Sequence, residues 1–297
     1  MGAADIVPGV SGGTIAFISG IYERLLTAIA HGPAVLFSAM KHRQARRFWR
    51  ELDGTFLLAL LAGILTSIVS LASVISLLLE QQPVRLWSFF FGLIVAAIWY
   101  VGRQIDRFGP GEIAALVAGA VVSFGITLMV PGQIAVTSLT LFAAGAIAIC
   151  AMILPGISGS FILLLMGMYA PVVNAIDERA ILVLGIFAAG CLSGLLLFSR
   201  LIAWALRRYQ AVALALLTGF MVGSLNKVWP WKLTQEWGED RHGNPLPLVQ
   251  ANVGPVDYSS VTGEPHYLVS ALGLAAAGFV LVLLLEWLGE RQNKRTP

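Results

Sequence analysis

Charge is what this chain has least of. Of its 297 residues only 12% are Asp, Glu, Lys or Arg, about half the share of a soluble domain, and a soluble multi-domain reading is excluded. Cysteine is scarcer still. Cys150 and Cys191 both lie in apolar stretches, too few for a disulfide framework or a metal site, and both read as packing residues; neither a metal nor a cofactor is expected. The four histidines, His31, His42, His242 and His266, fall in loops or at span ends, so serine chemistry inside the apolar segments would lack a base. Strict apolar/polar alternation, the mark of a membrane barrel, is missing. So is a basic n-region with a cleavage site ahead of the first motif. A net charge of +3 carries no nucleic-acid implication.

What is there is hydrocarbon. The chain is 58% hydrophobic with mean hydropathy +0.82, and several uncharged stretches reach the roughly 20 residues a helix needs to cross a bilayer. Hydropathy predicts spans near 54–79, 84–102, 112–130, 180–206, 210–226 and 267–288, with two interrupted apolar segments at 3–30 and 134–176. The fold class expected is an all-α polytopic membrane protein.

The two interruptions match each other. Pro8-Gly9-Val10-Ser11-Gly12-Gly13 returns as Pro155-Gly156-Ile157-Ser158-Gly159-Ser160, and a shift of 147 positions superposes seven identities in fifteen, Gly20/Gly167 and Tyr22/Tyr169 among them. Glycine and proline free backbone groups that lipid cannot satisfy, so paired breaks of this kind point to a transport site. A second shift, of 127, superposes Leu57, Ala62, Gly63, Gly92 and Val95 on Leu184, Ala189, Gly190, Gly219 and Val222. The span pairs following the two motifs are thus also alike.

Loop charge sets the orientation. Lys41, Arg43, Arg46, Arg47 and Arg50 crowd one loop, and the positive-inside rule makes loop 41–50 and the basic C-terminus cytoplasmic. Tracing the spans leaves Arg103, Arg107, Arg207 and Arg208 on the same side, and the two span pairs then run in opposite directions. The organisation expected is a first repeat (1–110), a connecting span (111–133), an inverted second repeat (134–228), an external loop (229–266) and a final span with a cytoplasmic tail (267–297), each repeat holding a re-entrant or broken-helix hairpin. The external polar stretch, 227–266, carries Trp229, Trp231 and Trp237, expected as an interfacial anchor, with a lid as the alternative. Only seven residues precede Pro8, against the long apolar arm Ile134 to Leu154 before Pro155, so a truncated start is an expectation too.

Chemistry follows from the breaks. Pro8, Gly9, Pro155 and Gly156 end one short helix in each motif, and Ser11 or Ser158 opens the next as N-cap. Exposed N–H groups with a partial positive charge favour an anion, phosphate naturally so. Ser11, Gly12, Gly13, Thr14, Ser158, Gly159 and Ser160 are the candidate contacts; the competing reading is that small residues merely permit close helix packing. Asp5, whose counterpart is Met152, is a candidate proton or sodium coupling site, or else a cap. Glu23 is a second coupling candidate, or pairs with Arg24. Arg200 either snorkels to the surface or adds a cation to the headgroup site. Gly9-Val10-Ser11-Gly12-Gly13 also fits G-x-S-x-G, so an intramembrane serine hydrolase using Ser11 stands as an alternative, beside an ion-coupled small-anion transporter.

Gly2-Ala3-Ala4-Asp5-Ile6-Val7-Pro8-Gly9-Val10-Ser11-Gly12-Gly13-Thr14 with Gly20-Ile21-Tyr22-Glu23 closely resembles the opening signature of the bacterial DUF368 membrane family, and Pro155 to Ser160 with Gly167-Met168-Tyr169 resembles its second. The resemblance covers essentially the whole chain. It implies a multi-pass protein of the bacterial cytoplasmic membrane that, among membrane lipids, moves polyprenyl phosphate such as undecaprenyl phosphate inward for carrier recycling, by alternating access coupled to protons or sodium and without enzymatic activity.

Overall fold

A computed structural model describes residues 1–5, 10–30, 32, 49–132, 134–239 and 245–293. Pro8, Gly9, Lys41, Arg43, Arg46 and Arg47 lie outside the described residues, as do Lys294 and Arg295. Helix dominates: α1 (Gly2–Asp5), α2 (Gly12–Ile18), α3 (22–30), α4 (Gly54–Gln81), α5 (Pro83–Gly102), α6 (Pro110–Leu128), α7 (Ser138–Ile153), α8 (Gly159–Leu165), α9 (Tyr169–Asp177), α10 (Ile181–Arg208), α11 (Gln210–Ser224), α12 (Pro255–Thr262) and α13 (Leu268–Asn293). Five of these, α4, α5, α6, α10 and α13, are long and apolar enough to cross a membrane. Their outward faces are bare hydrocarbon, with Val69, Ile181 and Val269 fully open, and the protein is a polytopic membrane protein.

Local signals explain the boundaries. Pro83 and Pro110 occupy the first turns of α5 and α6, where a missing N–H costs nothing, and Glu112 accepts the Gly109 N–H at 3.0 Å. Thr137 and Thr140 cap α7 reciprocally. At 16 residues α7 is about 24 Å long by the 1.5 Å helical rise, short of the roughly 30 Å of hydrocarbon.

The two interrupted segments close with one and the same turn. Ser19, Gly20 and Ile21 N–H donate to Ile15, Phe17 and Ala16 O; 147 positions on, Met166, Gly167 and Met168 N–H donate to Ile162, Leu164 and Leu163 O. Gly20 and Gly167 sit at φ 71° and 68°, left-handed positions where a side chain is strained. α8 and α9 meet across this turn at 106°. The joints after the first long span of each set also agree: Gln82 (φ −139°, ψ 48°) and Tyr209 (φ −137°, ψ 52°) are 127 apart.

Packing rests on glycine. α5 lies along α13, where a Cβ at Gly92 would strike the Ala275 carbonyl and one at Gly278 the Phe89 carbonyl. α11 lies along α6 in the same way, with Gly219 against Leu116 and Gly119 against Leu216. Backbone contact this close is how helices associate where lipid removes the hydrophobic drive. The largest core cluster surrounds the first hairpin, with Val10, Phe17, Tyr22 and Leu26 packed among Leu93, Ile94, Leu217 and Met221.

The polar stretch departs from the helix-only expectation. Strands β1 (Lys232–Glu239) and β2 (Pro245–Asn252) form an antiparallel hairpin. An isolated hairpin is marginal in water; this one is docked, since Trp229 Nε1–H donates to Val253 O and Trp231 Nε1–H to His266 O, both at 2.8 Å. Trp231 is buried with Val84, Tyr258 and Ala271. Trp229 and Trp231 thus pin the folded polar segment (the cap) to its flanks, and Trp237 is exposed.

Gly219→Ala is expected to lower the detergent unfolding midpoint at a cost of about 1–3 kcal/mol, whereas Gly185→Ala, with nothing within 4 Å of the added carbon, should stay within roughly 0.5 kcal/mol of the parent. Thermal unfolding of the purified variants decides it; equal shifts would remove close helix contact as the cause.

Candidate functional site

The two motifs meet each other. α7 stops because Pro155 has no N–H to give and Leu154 before it is extended (ψ 129°). Gly156, at φ 90°, turns the chain into α8. This break strands the last carbonyls of α7 deep in apolar surroundings, and the first motif supplies their donors. Ser11 Oγ–H lies 3.2 Å from both Met152 O and Leu154 O, and Tyr22 Oη–H donates to Ile153 O at 3.2 Å. In return Gly156 N–H donates to Thr14 Oγ1 at 2.9 Å. Gly13 permits the contact, since a Cβ there would sit 2.7 Å from Ile153 O.

The N-termini of α2 and α8 are built alike and filled differently. Ser11 (φ −113°, ψ 131°) and Ser158 (φ −100°, ψ 130°) share one backbone conformation. Ser11 caps α2 by accepting from Gly13 N–H at 3.1 Å, and the Asp5 carboxylate takes Gly12 N–H at 2.8 Å. The protein's own anion thus sits where an external one was expected. At α8 the position equivalent to Asp5 is Met152, half-exposed. Ser158 makes no cap bond; its hydroxyl instead bonds that of Ser160 at 2.8 Å. Ser160 is exposed, while Ser158 and Gly159 are buried, the glycine 2.6 Å by its missing Cβ from Ala148 O.

The remaining candidates lie elsewhere. Arg200 Nε–H donates to Ala30 O at 3.1 Å, on the helical segment that follows the first motif and not to a group of either motif. Arg24 forms a two-pronged ion pair with Asp53, 2.5 and 2.9 Å, rather than pairing with Glu23. The Arg24 guanidinium hydrogen-bonds the Asp53 carboxyl and holds it below the usual carboxylate range. Glu23 instead lines a cavity of about 240 Å³ with Thr27, Arg207 and Gln210, smaller than a typical drug-sized pocket. Ser11 donates to a carbonyl, not to a base, and among the described residues the imidazole of His266 accepts Leu268 N–H.

Two participants escape sequence reasoning. Tyr22 reads only as a repeat identity, and nothing separates it from Tyr169, its exposed counterpart. Lys227 reads as a loop residue, yet its Nζ stands 4.4 Å from the centre of the Phe161 ring, one residue beyond Ser160. The available signal was a lone cation directly after a span.

Thr14→Val should destabilise the protein by about 1–3 kcal/mol, since it orphans the buried Gly156 N–H, whereas Thr14→Ser keeps the acceptor and most of the stability. Unfolding midpoints of both variants in detergent check this, and equal losses would assign the effect to packing of the Thr14 methyl.

Comparison with known proteins agrees with this architecture. The profile of the VCA0040-like family, described as undecaprenyl phosphate translocase-like, matches residues 1–246. A protein of Vibrio cholerae serotype O1 named polyprenyl-phosphate transporter is 48% identical over 291 residues, 98% of this chain and 94% of its own. A Staphylococcus aureus protein of the same name is 37% identical over 248 residues, 77% of this chain and 83% of its own. No solved structure matches significantly. Two broken hairpins interlocked inside a bundle of apolar helices, with this degree of identity to transporters along nearly the whole chain, make it a member of the VCA0040-like, undecaprenyl phosphate translocase-like family.

Proposed function

We propose that this chain moves polyprenyl phosphate from the outer to the inner leaflet of the bacterial cytoplasmic membrane, with the phosphate handled at Ser158, Gly159 and Ser160. The observation that carries this is the asymmetry of two like-built motifs. Asp5 supplies the anion at α2, and α8 has no such residue. Small polar groups at α8 can take a phosphate, and the prenyl tail need not leave the bilayer, because Ile147 and Met152 beside the motif are open to lipid.

Ser11, Thr14 and Tyr22 then act as the clasp between hairpins, and Gly12 and Gly13 as the surface that lets them close. Rocking one hairpin against the other would exchange these bonds. Asp5 couples an ion: a proton on its carboxyl removes the charge that caps α2 and loosens its hold on Gly12 N–H. Glu23, beside Arg207, is the second candidate for proton entry. Arg200 has no part in the headgroup site on this reading.

The repeats divide as 1–132 and 134–293. α6 and α13 receive equivalent glycine contacts from positions 127 apart, Phe89 and Gly92 against Leu216 and Gly219, which makes α6 the last element of the first repeat rather than a connector. Loop charge places Arg107 inside and the cap outside.

Translocation of labelled undecaprenyl phosphate in proteoliposomes tests the proposal. Ser158→Ala/Ser160→Ala should slow flipping about 100-fold or more, the loss of two hydrogen bonds to a charged group at about 1.5–3 kcal/mol each. Asp5→Asn should keep downhill flipping and lose its response to a proton or sodium gradient. Unchanged flipping in the double variant sinks the headgroup assignment, and competition by water-soluble phosphate would favour a small-anion carrier. For orientation, single cysteines at 107 and 237 in a chain without Cys150 and Cys191 should label from opposite faces; labelling from one face would rule out inverted repeats.

A further inference from the structure

We propose that Lys227 and Lys232 form a two-cation receiving site beneath the cap, selective for a phosphate monoester over a phosphate diester. Both side chains turn inward. Lys227 Nζ lies 4.4 Å from the ring centre of Phe161 at the start of α8, and Lys232 Nζ lies 3.4 Å from that of Trp87 on α5. Lys232 Nζ–H also donates to Lys227 O at 2.6 Å, so the two residues belong to one folded turn. A lysine that merely packs keeps its stem in and its ammonium out; here both half-buried residues turn the ammonium end onto an aromatic face of a helix.

No carboxylate pairs with either lysine among the described residues. Glu236 is exposed on β1, Glu264 accepts from Tyr258 Oη, and Asp257 lies exposed in the first turn of α12. Burial lowers the proton affinity of both lysines, and the charge of Lys227 lowers that of Lys232 further. A third cation under the cap, Arg85, leaves its buried Nε without a partner among the described residues and its guanidinium 5.0 Å from the ring centre of Tyr267. Among the described residues the fold therefore gathers positive charge here without a paired carboxylate.

The missing counter-charge defines the ligand. A phosphate monoester carries about −1.5 to −2 charges at pH 7 and can bridge both ammonium groups, relieving their desolvation and their mutual repulsion together. A diester, the headgroup of bulk phospholipid, carries one charge and two ester arms and can do neither fully. The site also lies next to the second motif, since Phe161 follows Ser160. A lipid monophosphate arriving under the cap would be sorted by charge before it reaches the hydroxyls. That the monoester is a lipid rests on the proposed transport; the two-cation site itself does not.

Binding to the full chain in nanodiscs, read by tryptophan fluorescence from Trp87, Trp229 and Trp231, separates the possibilities. The probes are farnesyl phosphate, inorganic phosphate and phosphatidylglycerol. The wild type should bind farnesyl phosphate at least about 10-fold more tightly than phosphatidylglycerol, and Lys227→Met and Lys232→Met should each erase that preference, a loss of about 1.4 kcal/mol or more. Their unfolding midpoints should hold or rise, because a buried like-charge contact is removed. Unaltered preference in both variants overturns the site while leaving transport intact. Binding of inorganic phosphate as tight as farnesyl phosphate, lost in the variants, supports the site and attributes its ligand to free phosphate instead of lipid. Loss of binding with a lowered midpoint in both methionine variants, rescued by Lys227→Arg and Lys232→Arg, also supports it; no rescue overturns it.

Discussion

A helix broken inside hydrocarbon must find partners for the backbone groups it releases, and everything around the two motifs follows from that need. Water is absent and lipid offers neither donor nor acceptor. Pro155 and Gly156 break off α7 among apolar helices and leave the carbonyls of Met152, Ile153 and Leu154 and the N–H of Gly156 to be satisfied. Ser11, Tyr22 and Thr14 satisfy them. This break is thus tolerable only because another segment lies against it, and the hairpin that supplies the hydroxyls is the one the core closes around.

Close approach makes this possible. A hydroxyl reaches a carbonyl across an interface only if the backbones come near, and Gly13, Gly156 and Gly159 each lie where a methyl group would collide with the neighbouring strand of chain. The same device holds the long spans together, with Gly92 and Gly278 between α5 and α13, and Gly119 and Gly219 between α6 and α11. Packing by backbone contact tolerates little intrusion, yet a bond exchanged along such a flat seam needs no side chain to be cleared away. A transporter that rocks can use that property.

Much of this was legible without coordinates. The breaks at Pro155 and Gly156, the five long spans and the likeness of the segments 147 and 127 positions apart all rest on composition and local rules, because a membrane solvent leaves a segment few choices but helix. Other features were not legible. The occupation of Ser11 and Thr14 by the opposite motif joins segments as much as 143 residues apart, and the Asp5 carboxylate reaches Gly12 N–H across the first break. Local pattern is silent on which of two identical-looking serines faces a partner. The partners of Arg200 and Glu23 were not legible for the same reason: a charged residue near a span end has many places to reach, and here Arg200 meets the Ala30 carbonyl while Glu23 lines a cavity with Arg207. The β-hairpin was hidden because a polar stretch with five prolines has no solvent-imposed form until Trp229 and Trp231 find their acceptors.

By itself, then, the sequence determined a helical membrane protein with two matched breaks, since burying uncharged runs and the conformational limits of proline and glycine are local matters. Tertiary structure alone decided that the α2 N-terminus is capped by Asp5 and its hairpin clasped by hydroxyls to the end of α7, while Ser158 at α8 makes no cap bond and Lys227 lies against the neighbouring Phe161. Charge compensation and hydrogen-bond satisfaction are set by distance in space, and only the packed bundle fixes those distances.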